Sequence, residues 1–192
     1  MVSHVNNLCK SCYYQLRIIG QLRPYITEDV AKMFVHSLVI SRLDYCNALL
    51  FGVPDELLQK LQRLQNTAAR IVTRVKRSSH ITPSLMRLHW LPVRERISFK
   101  VIVLTHRAIQ GTAPKYLCDL LQCYVPQRNL RSSSQNLLLC SKTRLKTFGD
   151  RAFMNSAPKL WNDLPPDIRA IDTECDFKKA LKTYLFRSAF NL

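Results

Sequence analysis

The stretch from Pro54 to Val75 constrains the fold most. Leu57, Leu61, Leu64, Ala68, Ile71 and Val75 recur at spacings of 4, 3, 4, 3 and 4 residues, a period that only an α-helix collects on one face. Pro54, with Asp55 and Glu56 behind it, opens that helix, because proline has no N–H to lose in a first turn and acids there complement the helix dipole. A helix with a single apolar seam is marginal alone and must bury the seam against neighbours, so the expectation is a bundle. On another face Arg63, Thr67, Arg70 and Arg74 keep the same period, and Lys76 and Arg77 extend the stripe. Such a row suits a phosphate backbone and equally suits open solvent.

The partners of that seam lie on either side of it. Val5, Leu8, Cys12, Leu16 and Ile19 predict a first helix from about Ser3 to Ile19. Thr27, Glu28 and Asp29 form an acidic start for a second, running through Val30, Phe34 and Leu38. Ser41 to Leu50 continues it or begins a new piece, with Asp44 placed to pair with Arg42 or Lys32. After the basic stripe, His80 to Ile97 (HITPSLMRLHWLPVRERI) forms a proline-bounded elbow. Pro83 opens a short turn, Trp90 packs, and Pro92 ends the turn and opens the next helix. There Ile97, Val101, Leu104 and Ala108 form a seam, with Arg96, Lys100 and Arg107 on another face. Gly111 ends that helix, and Pro114 starts a short one to Leu121. Gly149 to Leu164 reads as a helix interrupted at Ala157-Pro158, and Thr173 with Asp176 caps a last helix carrying Phe177, Leu181, Tyr184 and Leu185. The apolar run Leu137 to Cys140 fits either a buried strand or a loop anchor.

The fold class expected is therefore mainly α, in one domain or two small ones: a helical bundle in the first 75 residues, then a mostly helical basic remainder. Its helices are expected near 92–110, 114–121, 150–164 and 174–188, with a short strand near 137–140 as the one alternative to helix.

Net charge is +16, and +11 of it falls in residues 76–151, which hold fourteen Lys and Arg against three Asp and Glu. A polyanion is the natural partner for such a field, nucleic acid first. Around Leu137–Cys140 the residues Arg128, Arg131, Lys142, Arg144 and Lys146, with Ser132 to Ser134, suit phosphate contacts, and Tyr124 and Phe148 suit stacking on bases. No apolar run reaches the roughly 18 residues of a membrane span, and Met1 to Gly20 mixes apolar residues with Asn, Lys, Gln and Arg, so no secretory signal is expected. The seven cysteines then read as reduced thiols of an intracellular protein, in nucleus or cytoplasm. Cys9 and Cys12 form a CxxC, but on the first helix's seam, where cysteine serves as a small core residue. His106, Cys118, Cys123 and Cys140 match no common zinc spacing. No metal or cofactor is expected.

Catalytic signatures are missing too. The thirteen acids are scattered and stand mostly at helix starts, and there is no phosphate-cradling glycine loop, HExxH or GxSxG. His80 and His89 have no nearby acid to orient them.

The words SRLDYCNALL (41–50), LQRLQNTAARIV (61–72), HITPSLMRLHWLPVRERI (80–97), FGDRAF (148–153), APKLWNDLP (157–165) and FKKALKTYLF (177–186) stand in an order that resembles the C-terminal part of the reverse transcriptase of jockey-like LINE (non-LTR) retrotransposons. The resemblance implies that residues 1 to about 77 correspond to the thumb, a helical bundle gripping the template and primer. Residues 78–192 would correspond to a basic, mostly helical C-terminal extension binding element RNA or target DNA, with the elbow at the seam between the two domains. The family's Tyr/Phe-Ala-Asp-Asp word is absent, and the chain has no adjacent Asp pair. The expectation is a non-catalytic fragment that binds RNA or DNA, with a protein partner covering the thumb face left open by the missing palm. The alternative is a helical protein-interaction module or a translated retroelement fossil.

Overall fold

A computed structural model describes residues 1–124, 136–141, 143 and 149–192. The expected Arg128, Arg131, Lys142, Arg144, Lys146 and Phe148 lie outside these. Among the described residues all regular structure is helical, as the apolar periods predict. The one β pairing is an isolated antiparallel bridge between Cys123 and Leu138, so Leu137–Cys140 is an anchored loop and not a strand.

The chain divides into two compact units, residues 1–97 with 188–192, and residues 98–187. The expected boundary after residue 77 differs because the elbow packs into the first unit's core: Leu85, Leu88, Trp90, Val93 and Ile97 are buried in the same cluster as Leu16, Leu61 and Val72.

In the first unit, α1 (Val2–Leu22) buries Val5, Cys12, Leu16 and Ile19. The seam passes through Cys12, and burial pushes the thiols of Cys9 and Cys12 above their ordinary value, the opposite of a redox-active pair. Next, α2 (Glu28–Val35) is capped by Thr27, whose hydroxyl accepts from Val30 N at 3.4 Å. A π turn over His36–Ile40 follows, then α3 (Ser41–Asp44). The buried line is Ala31, Val35, Val39 and Leu43, with Ile40 beside it, one residue on from the expected Val30, Phe34 and Leu38, so Phe34 and Leu38 are exposed.

The long helix α4 (Asp55–Thr73) buries Leu57, Leu61, Leu64, Gln65, Ala68, Ala69 and Val72. Ile71 lies at the edge of the seam, and Val75 falls past the helix end. α1 and α4 run parallel: Asn6 meets Lys60 near their starts, and Arg23 meets Val72 near their ends. At that end Arg23, 8% exposed, caps α4. Its Nε and Nη2 donate to the carbonyls of Ile71 (3.0 Å) and Val72 (2.9 Å), and its Nη1 donates to Ile26 (2.8 Å). A cation on orphan C-terminal carbonyls is the favourable sign for the helix dipole.

After α4, α5 (Thr82–Arg87) follows Ile81, and the elbow is tied back to α4 by amides. Gln65 Nε2 donates to Leu91 O (2.8 Å), and Gln62 Oε1 accepts from Val93 N (2.8 Å). These satisfy backbone groups that a turn between helices would otherwise bury unpaired.

The second unit contains α6 (Val93–Ile109) from Ser98 onward, α7 (Lys115–Cys118), α8 (Phe153–Asn162), α9 (Pro166–Arg169) and α10 (Glu174–Phe190) up to Arg187. α6 ends with Gly111 at φ +68°, as its glycine predicts. The expected break at Pro158 does not occur, and α8 runs through it. Trp161, Phe177 and His106 pack together in the core, with His106 and Phe177 stacked at centroids 4.1 Å apart and the Trp161 ring tilted against both. His106 Nε2 donates to Ile171 O at 2.9 Å, which sets its tautomer and makes it a packed residue. Asn162 clamps the 136–140 loop: its Oδ1 accepts from Leu138 N (2.9 Å) and its Nδ2 donates to Leu138 O (2.8 Å), while Trp161 Nε1 donates to Asn136 O (2.7 Å).

Arg107 Nη2 meets Glu174 Oε1 at 2.6 Å, and Lys178 pairs with the same oxygen. The Arg107 guanidinium, then Lys178, hold the Glu174 carboxyl down to about 2 from its ordinary 4.5. A carboxyl whose pKa falls on folding stabilises the folded state at pH above its unfolded value, and that contribution is lost as pH falls through the folded one. Glu174→Gln is therefore expected to lower the second unit's unfolding midpoint modestly above about pH 5 and to match the parent near pH 2. Trp161 fluorescence across that range, in a Trp90→Phe background, reads it. A difference that does not shrink on acidification would show that the pair contributes nothing through charge.

Candidate nucleic-acid interface

The polar face of α4, the α1 side chain Tyr13 and the turn after α4 enclose an open groove of about 690 Å³ within the first unit. Ile71, Val75 and Tyr13 supply apolar surface. Arg63, Arg70, Arg77, Asn66 and Thr67 supply the polar remainder. The helix period places Arg63 and Arg70 two turns apart, about 10 Å. Arg77 is brought to them by the turn Lys76–Ser79, closed by Ser79 N donating to Lys76 O (3.1 Å). Arg70 Nη2 donates to Ser79 O at 2.9 Å, which ties this turn to the helix.

Arg63, Arg70 and Arg77 make no ion pair among the described residues. Their field is therefore not cancelled locally, and a concave wall concentrates it.

The other expected contacts divide sharply. Arg74 is not on the groove: it ends α4 at φ +54°, and its Nη2 donates to Arg23 O. Arg96 is a staple, 2.5 Å from Asp44 Oδ2 through Nη1 and 3.0 Å from Leu91 O through Nε. Asp44 thus pairs with Arg96, not with Arg42 or Lys32, and Arg42 donates to Ser11. Arg107 is held by Glu174. Lys76 and Lys100 are exposed and in no ion pair among the described residues. Of the expected elbow residues, Trp90 is buried, Pro92 half-buried and Pro83 exposed.

Sequence reasoning missed Tyr13, which is 41% exposed. It stands beside the α1 seam, and its only signal is that an aromatic residue occupies a position outside the apolar period. Tyr124, expected to stack, is exposed, with its N donating to Leu137 O (2.9 Å).

A second groove of about 650 Å³ lies on the other flank of α4 and shares Asn66 with the first. Its one arginine, Arg94, is paired with Asp55 at 2.6 Å, so it lacks the uncancelled positive charge. No described helix is long and apolar enough to cross a membrane. No three His, Cys, Asp or Glu side chains converge as a metal site among the described residues. No protein-family model, curated protein or solved structure matches the chain.

Proposed function

We propose that the chain is the nucleic-acid-holding end of a LINE-type reverse transcriptase, intracellular and without the polymerase carboxylates, and that it binds RNA or DNA through the groove beside α4. The observation that carries this reading is the trio Arg63, Arg70 and Arg77 on one concave surface, without acidic partners among the described residues, in a chain of net charge +16. Phosphate contacts release condensed counterions, so log affinity should fall linearly with log salt. Arg63→Glu with Arg77→Glu is expected to weaken RNA binding at least about ten-fold and to flatten that slope by about 1–2. Fluorescence anisotropy at several salt concentrations measures both. Affinity indifferent to salt and to the double reversal sinks the reading.

A protein-interaction role is supported by a different surface. Tyr14, Ile18 and Leu22 follow one another along α1, each at least 37% exposed, and Met33, Phe34 and Leu38 are exposed on the helix after it. Apolar rows of that kind mark protein contacts. Size-exclusion chromatography with and without RNA separates the two: a species that shifts only with RNA favours the groove, and RNA-independent self-association favours the apolar row.

A further inference from the structure

The groove's composition narrows what it takes. A duplex keeps its base faces stacked inside and offers a protein its phosphates and groove edges. A surface built only for a duplex backbone would therefore need donors and cations alone. This groove has apolar lining as well, with Ile71, Val75 and the Tyr13 ring alongside Arg63, Arg70 and Arg77. Its volume of about 690 Å³ lies within the roughly 300–1,000 Å³ of sites that enclose small ligands. An aromatic and aliphatic surface together with cations is the chemistry that recognises unpaired bases, whose faces are free to stack while the backbone follows the charge.

Resting on the reading above, we propose that the groove is a single-strand site, in which an unpaired base stacks on Tyr13 and the flanking phosphates meet Arg63 and Arg77. Arg63 and Arg70 stand only about 10 Å apart, so the site covers a short segment. Thr67 and Asn66, between the arginines on the helix face, are placed to hydrogen-bond sugar or base edges.

The test compares a ten-nucleotide uridine strand with a blunt ten-pair RNA duplex, by anisotropy at about 150 mM salt, for the parent, Tyr13→Ala and Tyr13→Phe. Tyr13→Ala should weaken the single strand at least about five-fold and leave the duplex within two-fold, while Tyr13→Phe keeps the parent's affinity. Tyr13 is exposed, so its loss leaves the core intact, and far-UV circular dichroism checks this. Equal loss for both probes, or no loss for the single strand, overturns the single-strand site while leaving salt-dependent binding standing. Binding of neither probe to the parent chain overturns this inference together with the reading it rests on.

Discussion

Trp90→Ala is expected to destabilise the first unit by about 3–5 kcal/mol, the usual cost of deleting a large aromatic side chain from a packed core. Trp90 is 4% exposed and lies in one cluster with Leu85, Leu88, Val93 and Ile97 from the elbow and with the seam of α4. The backbone around it leaves little room to collapse. Trp90 N donates to Leu85 O (2.9 Å), His89 sits at φ +53°, and Gln65 holds Leu91 O. The void left by the ring should therefore stay largely open, which is the condition for the larger losses. Reading the elbow as a joint between domains would predict a loosened connection. Its place in the core predicts instead a loss of the unit's own stability. The chain's two tryptophans fall one in each unit, so in this variant Trp161 alone reports the second unit while far-UV circular dichroism follows both. Denaturant unfolding in which the early, dichroism-detected transition does not move would place Trp90 outside the core.

Arg23→Ala should cost about 2–4 kcal/mol, because one guanidinium serves three carbonyls and its removal leaves the buried ones unpaired. Lysine cannot substitute, since a point charge with no planar fork reaches one or two of the oxygens of Ile71, Val72 and Ile26 but not all three. Arg74, whose guanidinium donates back to Arg23 O, holds a left-handed conformation at the end of α4, so the end of that helix should fray with the loss of Arg23. Trp90 fluorescence in a Trp161→Phe background measures the first unit alone. Faster amide exchange in the last turn of α4 locates the effect. An Arg23→Lys variant as stable as the parent would refute the three-carbonyl cap.

Both substitutions expose how far local pattern reaches. The first helix, the long α4 and the last helix were legible because their apolar residues repeat at the helical period, and that period depends only on backbone geometry. Thr27 and Gly111 could be read as helix boundaries for the same local reason. Phe34 and Leu38 misled because apolar residues stand on two faces of this helix, and spacing alone does not say that Ala31, Val35 and Val39 face the core. Gln62 and Gln65 fall outside the apolar period and so carry no local signal. Gln65 is fully buried, and both side chains serve as the backbone partners of Leu91 and Val93, which also makes the words at 61–72 and 80–97 one packed unit.

The sequence by itself determined the helical class, the bundle around α4 and the excess of positive charge, since each follows from composition or short-range spacing. Only the tertiary structure decided which arginines keep that charge available. Arg96 meets an acid 52 residues away and Arg107 one 67 residues away, while Arg63, Arg70 and Arg77 line a groove with Tyr13 from a separate helix. A helix period tells which side chains share a face, but whether a cation on that face is neutralised depends on what the fold places opposite it. That pairing is a long-range property with no trace in local spacing.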